Sequence, residues 1–137
     1  MDLKGEKNLA LLLLHMQPEL NEGEYVFCTV HDTSTLVFAD VLFNFKEKEG
    51  LTVVLPKKAA DTAGVLYTYV SSWITLKVHS SLEAVGLTAA FSKALAEAGI
   101  SCNVVAAYYH DHIFVPAKDA AKAMQVLEDL SSQVRSI

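Results

Sequence analysis

Hydrophobic positions switch between helical and two-residue spacing along this chain, and the switches mark out its elements. Leu9, Leu12, Leu13 and Met16 recur at helical spacing, so residues 7–16 are expected to form a short helix. Leu11 and Leu14 make it apolar nearly all round, which suits a helix sandwiched in a core or an interface. Pro18 restricts Gln17 and closes the run. After the turn at Asn21-Glu22-Gly23-Glu24, the β-branched and aromatic residues 25–30 predict a strand. His31-Asp32-Thr33-Ser34 is a polar loop, and residues 36–45 fit either a short helix followed by a strand or a strand alone. A charged turn at 46–50 leads to a strand over 51–55. Pro56 then opens a helix through about Thr62, at a position where its missing N–H costs nothing. Gly64 ends that helix, and residues 65–70 read as another strand.

The second half alternates more cleanly. Ile74, Leu76 and Val78 alternate with Thr75, Lys77 and His79, the pattern of a strand with one buried face. Leu87, Phe91, Ala94, Leu95 and Ala98 form one stripe of a helix capped by Gly99. Residues 100–109 are nearly continuously apolar, which predicts a strand covered on both faces or placed at an interface. His110-Asp111 is expected to turn the chain into a strand over 112–115. Pro116 then opens a last helix with Ala120, Met124, Leu127 and Leu130 on one face.

Within the chain, Val53-Val54-Leu55-Pro56-Lys57-Lys58-Ala59-Ala60 can be laid on Ile113-Phe114-Val115-Pro116-Ala117-Lys118-Asp119-Ala120. Upstream, Val30-His31 matches Val78-His79 at a different offset, because the first copy has a shorter segment between strand and proline. Two βαββαβ modules side by side account for this, the first one abbreviated. The second shows no last strand after residue 132, so either the first half supplies it or the sheet is one strand short.

Composition narrows the function classes. With 52% hydrophobic and 20% charged residues, a chain of this length can bury a core without staples. The net charge is -5 with no dense Lys/Arg cluster, which argues against nucleic acid as a partner. The apolar run Leu9–Leu14 is too short to span a bilayer, and no small-residue cleavage site follows it. Cys28 and Cys102 lie in apolar β-like runs; one disulfide between them is possible, but they read as free packing thiols in a reducing compartment, so the expected address is cytoplasmic.

Trp73, then Val78-His79-Ser80-Ser81-Leu82 and Val85-Gly86-Leu87, then Leu95-Ala96, Ile100 and Asn103-Val104 give the chain a family likeness: it resembles the ACT domain. The segment Glu47-x-Glu49-Gly50-Leu51-Thr52 resembles the same family. Over roughly residues 10–132 the chain looks like the small bacterial tandem-ACT proteins of unknown function. These are similar in turn to the ACT pairs of aspartate kinases and of the eukaryotic cytosolic arginine sensor. The Asp-x-Pro-Gly turn common in the family is replaced here by Glu83-Ala84-Val85-Gly86.

What the resemblance implies is an α+β fold of two ferredoxin-like βαββαβ modules, with antiparallel sheets and helices on one face. The modules would cover 1–70 and 71–137. The implied protein is a regulatory homodimer that binds a small molecule, an amino acid above all, at a module interface without catalysis. Its contacts would be His79, Ser80, Ser81, Val85, Gly86, Asn103 and Asp111. The rival reading is a structural interaction module with no small-molecule ligand.

The residues themselves leave alternatives open. A glycine at a strand-to-helix loop lets a carboxylate approach the free N–H groups of the helix start, or it merely relieves crowding there. Ser81 offers a hydroxyl to a ligand or caps the helix. Asn103 interrupts an apolar strand and, if buried, needs partners from a ligand or from backbone. Asp111 either bonds its own turn or receives the amine or guanidinium of a basic ligand. His110 and His112 would point to opposite faces of an extended strand and would not share an ion simply, so neither a metal nor a cofactor is expected. His31 and His79 end corresponding strands and read as surface histidines rather than catalytic bases. A small enzyme would need Asp111, His79 and His112 to converge in one cleft.

Overall fold

A computed structural model describes residues 5–135, the side chain of Arg135 excepted. The chain divides into two compact units. The first is Glu22–Ser72; the second joins the described residues up to Asn21 with those from Trp73 onward.

In the first unit, β2 (Tyr25–Val30) pairs antiparallel with β4 (Leu51–Pro56), which pairs antiparallel with the edge strand β3 (Phe43–Lys46). The start of β5 (Val70–Lys77) adds a fourth strand through Tyr25↔Ser71 and Val26↔Val70. Val26, Cys28, Val30, Val53 and Leu55 alternate inward and meet Ala60 of α2 (Lys57–Ala63). A 3₁₀ turn, Phe38–Asp40, stands where a helix would complete the βαββαβ order. The ambiguous stretch 36–45 is thus a short turn followed by a strand. Residues 65–69, expected as strand, run as loop. They carry a Tyr67–Asp61 hydrogen bond of 2.6 Å, and only Val70 enters a ladder.

In the second unit the strand order is β1 (Gln17–Leu20), β5, β7 (Asp111–Pro116), β6 (Asn103–Ala106). β6 (Asn103–Ala106) and β7 (Asp111–Pro116) form an antiparallel hairpin. The apolar run 100–109 is therefore strand over only four residues, because Ala107 N–H bonds back to the His110 carbonyl and closes the turn. The last strand of the module is supplied from upstream: β1 (Gln17–Leu20) pairs antiparallel with β5 from Gln17↔Lys77 to Leu20↔Ile74. Pro18 does end α1 (Leu9–His15), and it then sits in a strand at the sheet's margin, where a residue without an N–H is tolerated. Leu12, Leu13 and Met16 join Ile74, Leu76, Ile113 and Val115 in one core with α3 (Leu87–Glu97) and α4 (Ala120–Arg135). α3 buries the expected Leu87, Phe91 and Leu95. It ends at Gly99, where Ile100 N–H reaches the Leu95 carbonyl and Gly99 N–H the Ala96 carbonyl.

On the other face of this sheet, Trp73 Nε1 donates to His112 Nδ1 at 2.9 Å, and Thr75 Oγ1 lies 3.1 Å from the same nitrogen. Asn21 Nδ2 donates to Thr75 Oγ1 at 3.0 Å. An indole N–H only donates, so Nδ1 is an acceptor and the imidazole is neutral, with its proton on Nε2. Burial, and then the charge of His110, hold the His112 pKa below its ordinary 6.5. A base with a depressed folded pKa contributes stability above its unfolded pKa and loses it as pH falls through the folded value. Melting temperature is therefore expected to fall between pH 7 and pH 5, with a change in Trp73 fluorescence, and His112→Gln is expected to flatten that slope. An equal slope in the variant would refute the assignment.

Candidate functional site

The loop between β5 and α3 carries five of the seven expected contact residues. Val78 N–H bonds the Leu76 carbonyl and Ser80 N–H the Val78 carbonyl, both at 2.9 Å, so the chain curls as it leaves the strand. Ser81 is buried; its Oγ accepts from Glu83 N–H at 3.1 Å and its carbonyl accepts from Ala84 N–H at 2.9 Å. Ser81 thus closes its own turn rather than capping α3. The N-cap of α3 is Gly86, at φ 102°, with no side-chain cap. The first intrahelical bond there is Ala90 N–H to the Gly86 carbonyl. The amides of the preceding turn have no intrahelical acceptor and lie at the positive end of the helix dipole. Leu82 and Val85 point outward, 67% and 83% exposed.

A segment that sequence reasoning missed lies along this loop. Glu6 forms a parallel bridge with Ser80: its N–H donates to the His79 carbonyl at 2.8 Å, and its carbonyl accepts from Ser81 N–H at 2.9 Å. Gly5 makes the approach possible. At φ 72° it is left-handed, and a Cβ there would sit 2.8 Å from Ser81 N and 2.9 Å from the His79 carbonyl oxygen. Next, Lys7 Nζ meets Glu83 Oε2 at 2.8 Å. The pair raises the Lys7 pKa and lowers that of Glu83, but both side chains are exposed and the pair adds little stability. Glu6 Oε1 accepts from Lys7 and Asn8 N–H, and Asn8 caps α1 through Leu11 N–H. Finally Leu9 Cδ2 would lie 3.1 Å from a Cβ on Gly86, so a leucine side chain packs against this glycine. The glycine at 5 and the capping asparagine at 8 were the available signals.

The other expected residues divide. His79 stacks near Tyr109 and Tyr108, with ring centroids 5.2 and 6.3 Å away, which brings the end of β5 to the β6–β7 turn. Asp111 opens β7 just past that turn, half-buried, with its carboxyl pKa raised by burial against a smaller opposing effect of His110. Asn103 is exposed rather than buried and begins β6 at the far end of the strand, about 10 Å from the turn. His110 and His112 have ring centroids 6.3 Å apart, and among the described residues no group of three or more His, Cys, Asp or Glu could hold a metal. Burial raises both thiol pKa values, that of Cys102 to about 11. Among the described residues no helix is long and apolar enough to cross a membrane.

The ACT domain family matches residues 4–72 and again, through a second ACT domain profile, residues 68–129. A protein of unknown function from Vibrio cholerae, VC0802, described as a possible transport protein, is 51% identical. The match covers 91% of this chain and 97% of that one, with a TM-score of 0.81. Atu0741 from Agrobacterium tumefaciens is 17% identical over 85% of this chain and 89% of that one, TM-score 0.63. The ligand-free regulatory subunit of aspartate kinase from Thermus thermophilus is 11% identical over 86% and 98%, TM-score 0.60. These last two likenesses are of fold. No protein of curated function matches the sequence.

The segment Gly5–Leu9 owes its place to a residue without a side chain. Gly5→Ala is expected to cost about 1–2 kcal/mol of local stability from the left-handed backbone alone. Amide exchange at Ser81, whose N–H the Glu6 carbonyl holds, should then speed up roughly five- to thirtyfold. Unchanged protection of that amide would show that the segment is not held there.

Proposed function

That this chain belongs to the ACT domain family, as two ACT domains in tandem, is the premise from which we propose a non-catalytic sensor. It binds a small molecule, an amino acid above all, at the β5–α3 loop, and it acts in the cytoplasm. The observation that carries this reading is the start of α3, whose first-turn amides meet no side-chain cap and begin at a glycine. A carboxylate is the group such a turn receives best. The hydroxyls of Ser80 and Ser81 are assigned to the ligand as further contacts. His79 and Asp111 stand at the same end of the sheet, where the Asp111 carboxylate suits the ligand's amine.

The wall that one chain lacks is assigned to a second copy in a homodimer. The exposed Leu82 and Val85 on the loop support a covered surface there, and the exposed Asn103 is assigned to the partner's contribution. The Gly5–Leu9 segment lies along the loop, so the ligand and this segment compete. Ligand binding moves the equilibrium between the two packings by no more than its differential affinity for them.

Each standard amino acid at millimolar concentration is to be screened for a rise in melting temperature. A ligand at a hundred times its Kd stabilises by about 2.7 kcal/mol, and Gly5→Ala is expected to tighten binding of the same ligand. A screen with no shift would overturn the sensor. Dimerisation lost in Leu82→Asp would then support the structural interaction module instead.

A further inference from the structure

The two units superpose in register from their edge strands onward. Phe43↔Val54, Asn44↔Val53, Phe45↔Thr52 and Lys46↔Leu51 in one become Asn103↔Phe114, Val104↔Ile113, Val105↔His112 and Ala106↔Asp111 in the other. Every position is displaced by 60 residues. Residues directly opposite each other share a face. Val53 and Leu51 belong to the first unit's core, so Asn44 and Lys46 occupy its helix side. The equivalent residues of the second unit are Val104, which packs against the core, and the exposed Ala106. Two inward positions that are apolar in one copy are an amide and an ammonium in the other.

The cover differs at the same place. Val30-His31 and Val78-His79 are 48 apart while the edge strands are 60 apart, so the first unit has 12 fewer residues in which to build a helix. It has the three-residue turn Phe38–Asp40 where the second has the 11-residue α3. What remains is a cavity of about 340 Å³ between that turn and the sheet. Leu36 and Val41 form one wall, Leu51 and the buried Val53 the floor, and Asn44 and Lys46 the polar end. Among the described residues no ion pair or hydrogen bond engages the Lys46 ammonium. The cavity volume falls at the lower end of the range for small-molecule sites, roughly 300–1,000 Å³. A single helical turn with side chains fills roughly 400 Å³, from its diameter of about 10 Å and its pitch of about 5.4 Å. A partner helix is too large an occupant.

We propose that the first unit holds its own binding site for a small apolar monocarboxylate. The hydrocarbon body lies between Leu36, Val41, Leu51 and Val53, and the carboxylate accepts from the Asn44 amide and the Lys46 ammonium. Among the described residues no acidic side chain lines the cavity. An α-ammonium group would therefore find no counter-charge and would face Lys46, so this site discriminates against the amino acids assigned to the loop before α3.

The test titrates the isotope-labelled full chain with 4-methylpentanoate, following amide resonances by NMR. 4-Methylpentanamide and leucine serve as the uncharged and the aminated comparators. The expected result is saturable shifts at the Asn44 side-chain amide, Lys46, Leu51 and Val53, with both comparators weaker. Lys46→Ala should lose roughly tenfold in affinity, the scale of one charged hydrogen bond. Asn44→Val with Lys46→Ala, the residues of the other unit, should abolish binding at an unchanged melting temperature. If those exposed positions prove necessary for folding, Lys46→Gln carries the same comparison. Shifts confined to residues 73–135, equal binding of the amide or of leucine, wild-type affinity in the Lys46 variant, or no saturation would each overturn the site.

Discussion

The pairing of β1 with the second half of β5 is the interaction on which the second unit depends. Ile74 and Leu76 are fully buried, and the backbone groups of a strand at such positions need partners on both of its edges. β7 serves one edge; the other is met by Gln17–Leu20, brought from far upstream. Asn21 fixes the end of that pairing, donating its N–H to the Trp73 carbonyl at 2.9 Å and its side-chain amide to Thr75. The same two residues of β5 hold His112 neutral from the other side. One strand pairing therefore aligns the sheet, anchors the polar network and sets the register of everything N-terminal to it.

The β5–α3 loop inherits its shape from that register. With β1 fixed, Leu12, Leu13 and Met16 bury α1 in the core, and the residues before α1 have only a short reach to the loop. Glu6 and Ser80 then pair across more than seventy positions of sequence. The contacts that hold this segment include backbone hydrogen bonds, an exposed ion pair and a leucine against a glycine, all of a reversible kind. Elements of this kind belong to the low-stability end of a structure, where ligands can act.

What sequence alone made legible follows from the range of the forces involved. The stripe Leu87–Phe91–Leu95 and the alternation of Ile74 and Leu76 are local periodicities set by burial, and both lie where they were expected. The tandem of ACT domains and the α+β architecture were legible too, through the repeated strand–proline–helix corner and the family likeness. β1 was hidden because Pro18 signals the end of a helix and says nothing of a strand that pairs with residues nearly sixty positions away. The apolar run 100–109 misled for a different reason: its composition is that of a strand throughout, while a local backbone bond, Ala107 N–H to the His110 carbonyl, closes a turn that composition does not signal. At the candidate site, His79, Ser80, Ser81 and Gly86 could be named from their loop, but the Gly5–Leu9 segment beside them could not. Asn103, read as buried because its neighbours are apolar, is exposed at the start of β6, the strand at the edge of the sheet.

The two modules show where such a repeat is free to diverge. Pro56 and Pro116 hold the same backbone, φ −56° and ψ 138° against φ −52° and ψ 135°, at the same corner between strand and helix. The strands leading into that corner pair with their edge strands in one register. Everything from the edge strand to the proline is fixed by mutual pairing and tolerates no insertion, because a one-residue slip would turn each inward side chain to solvent. The segment before the edge strand carries no such constraint, since loop closure costs little for each added or lost residue. The first module is 12 residues shorter there and has a 3₁₀ turn in place of the helix, while the edge pairing keeps the same register. With a short turn in place of a helix, the β3 positions opposite Val53 and Leu51 stay exposed, and an amide and an ammonium are tolerated there. Divergence of chemistry between the modules thus follows from the one place in the repeat where length was free to change.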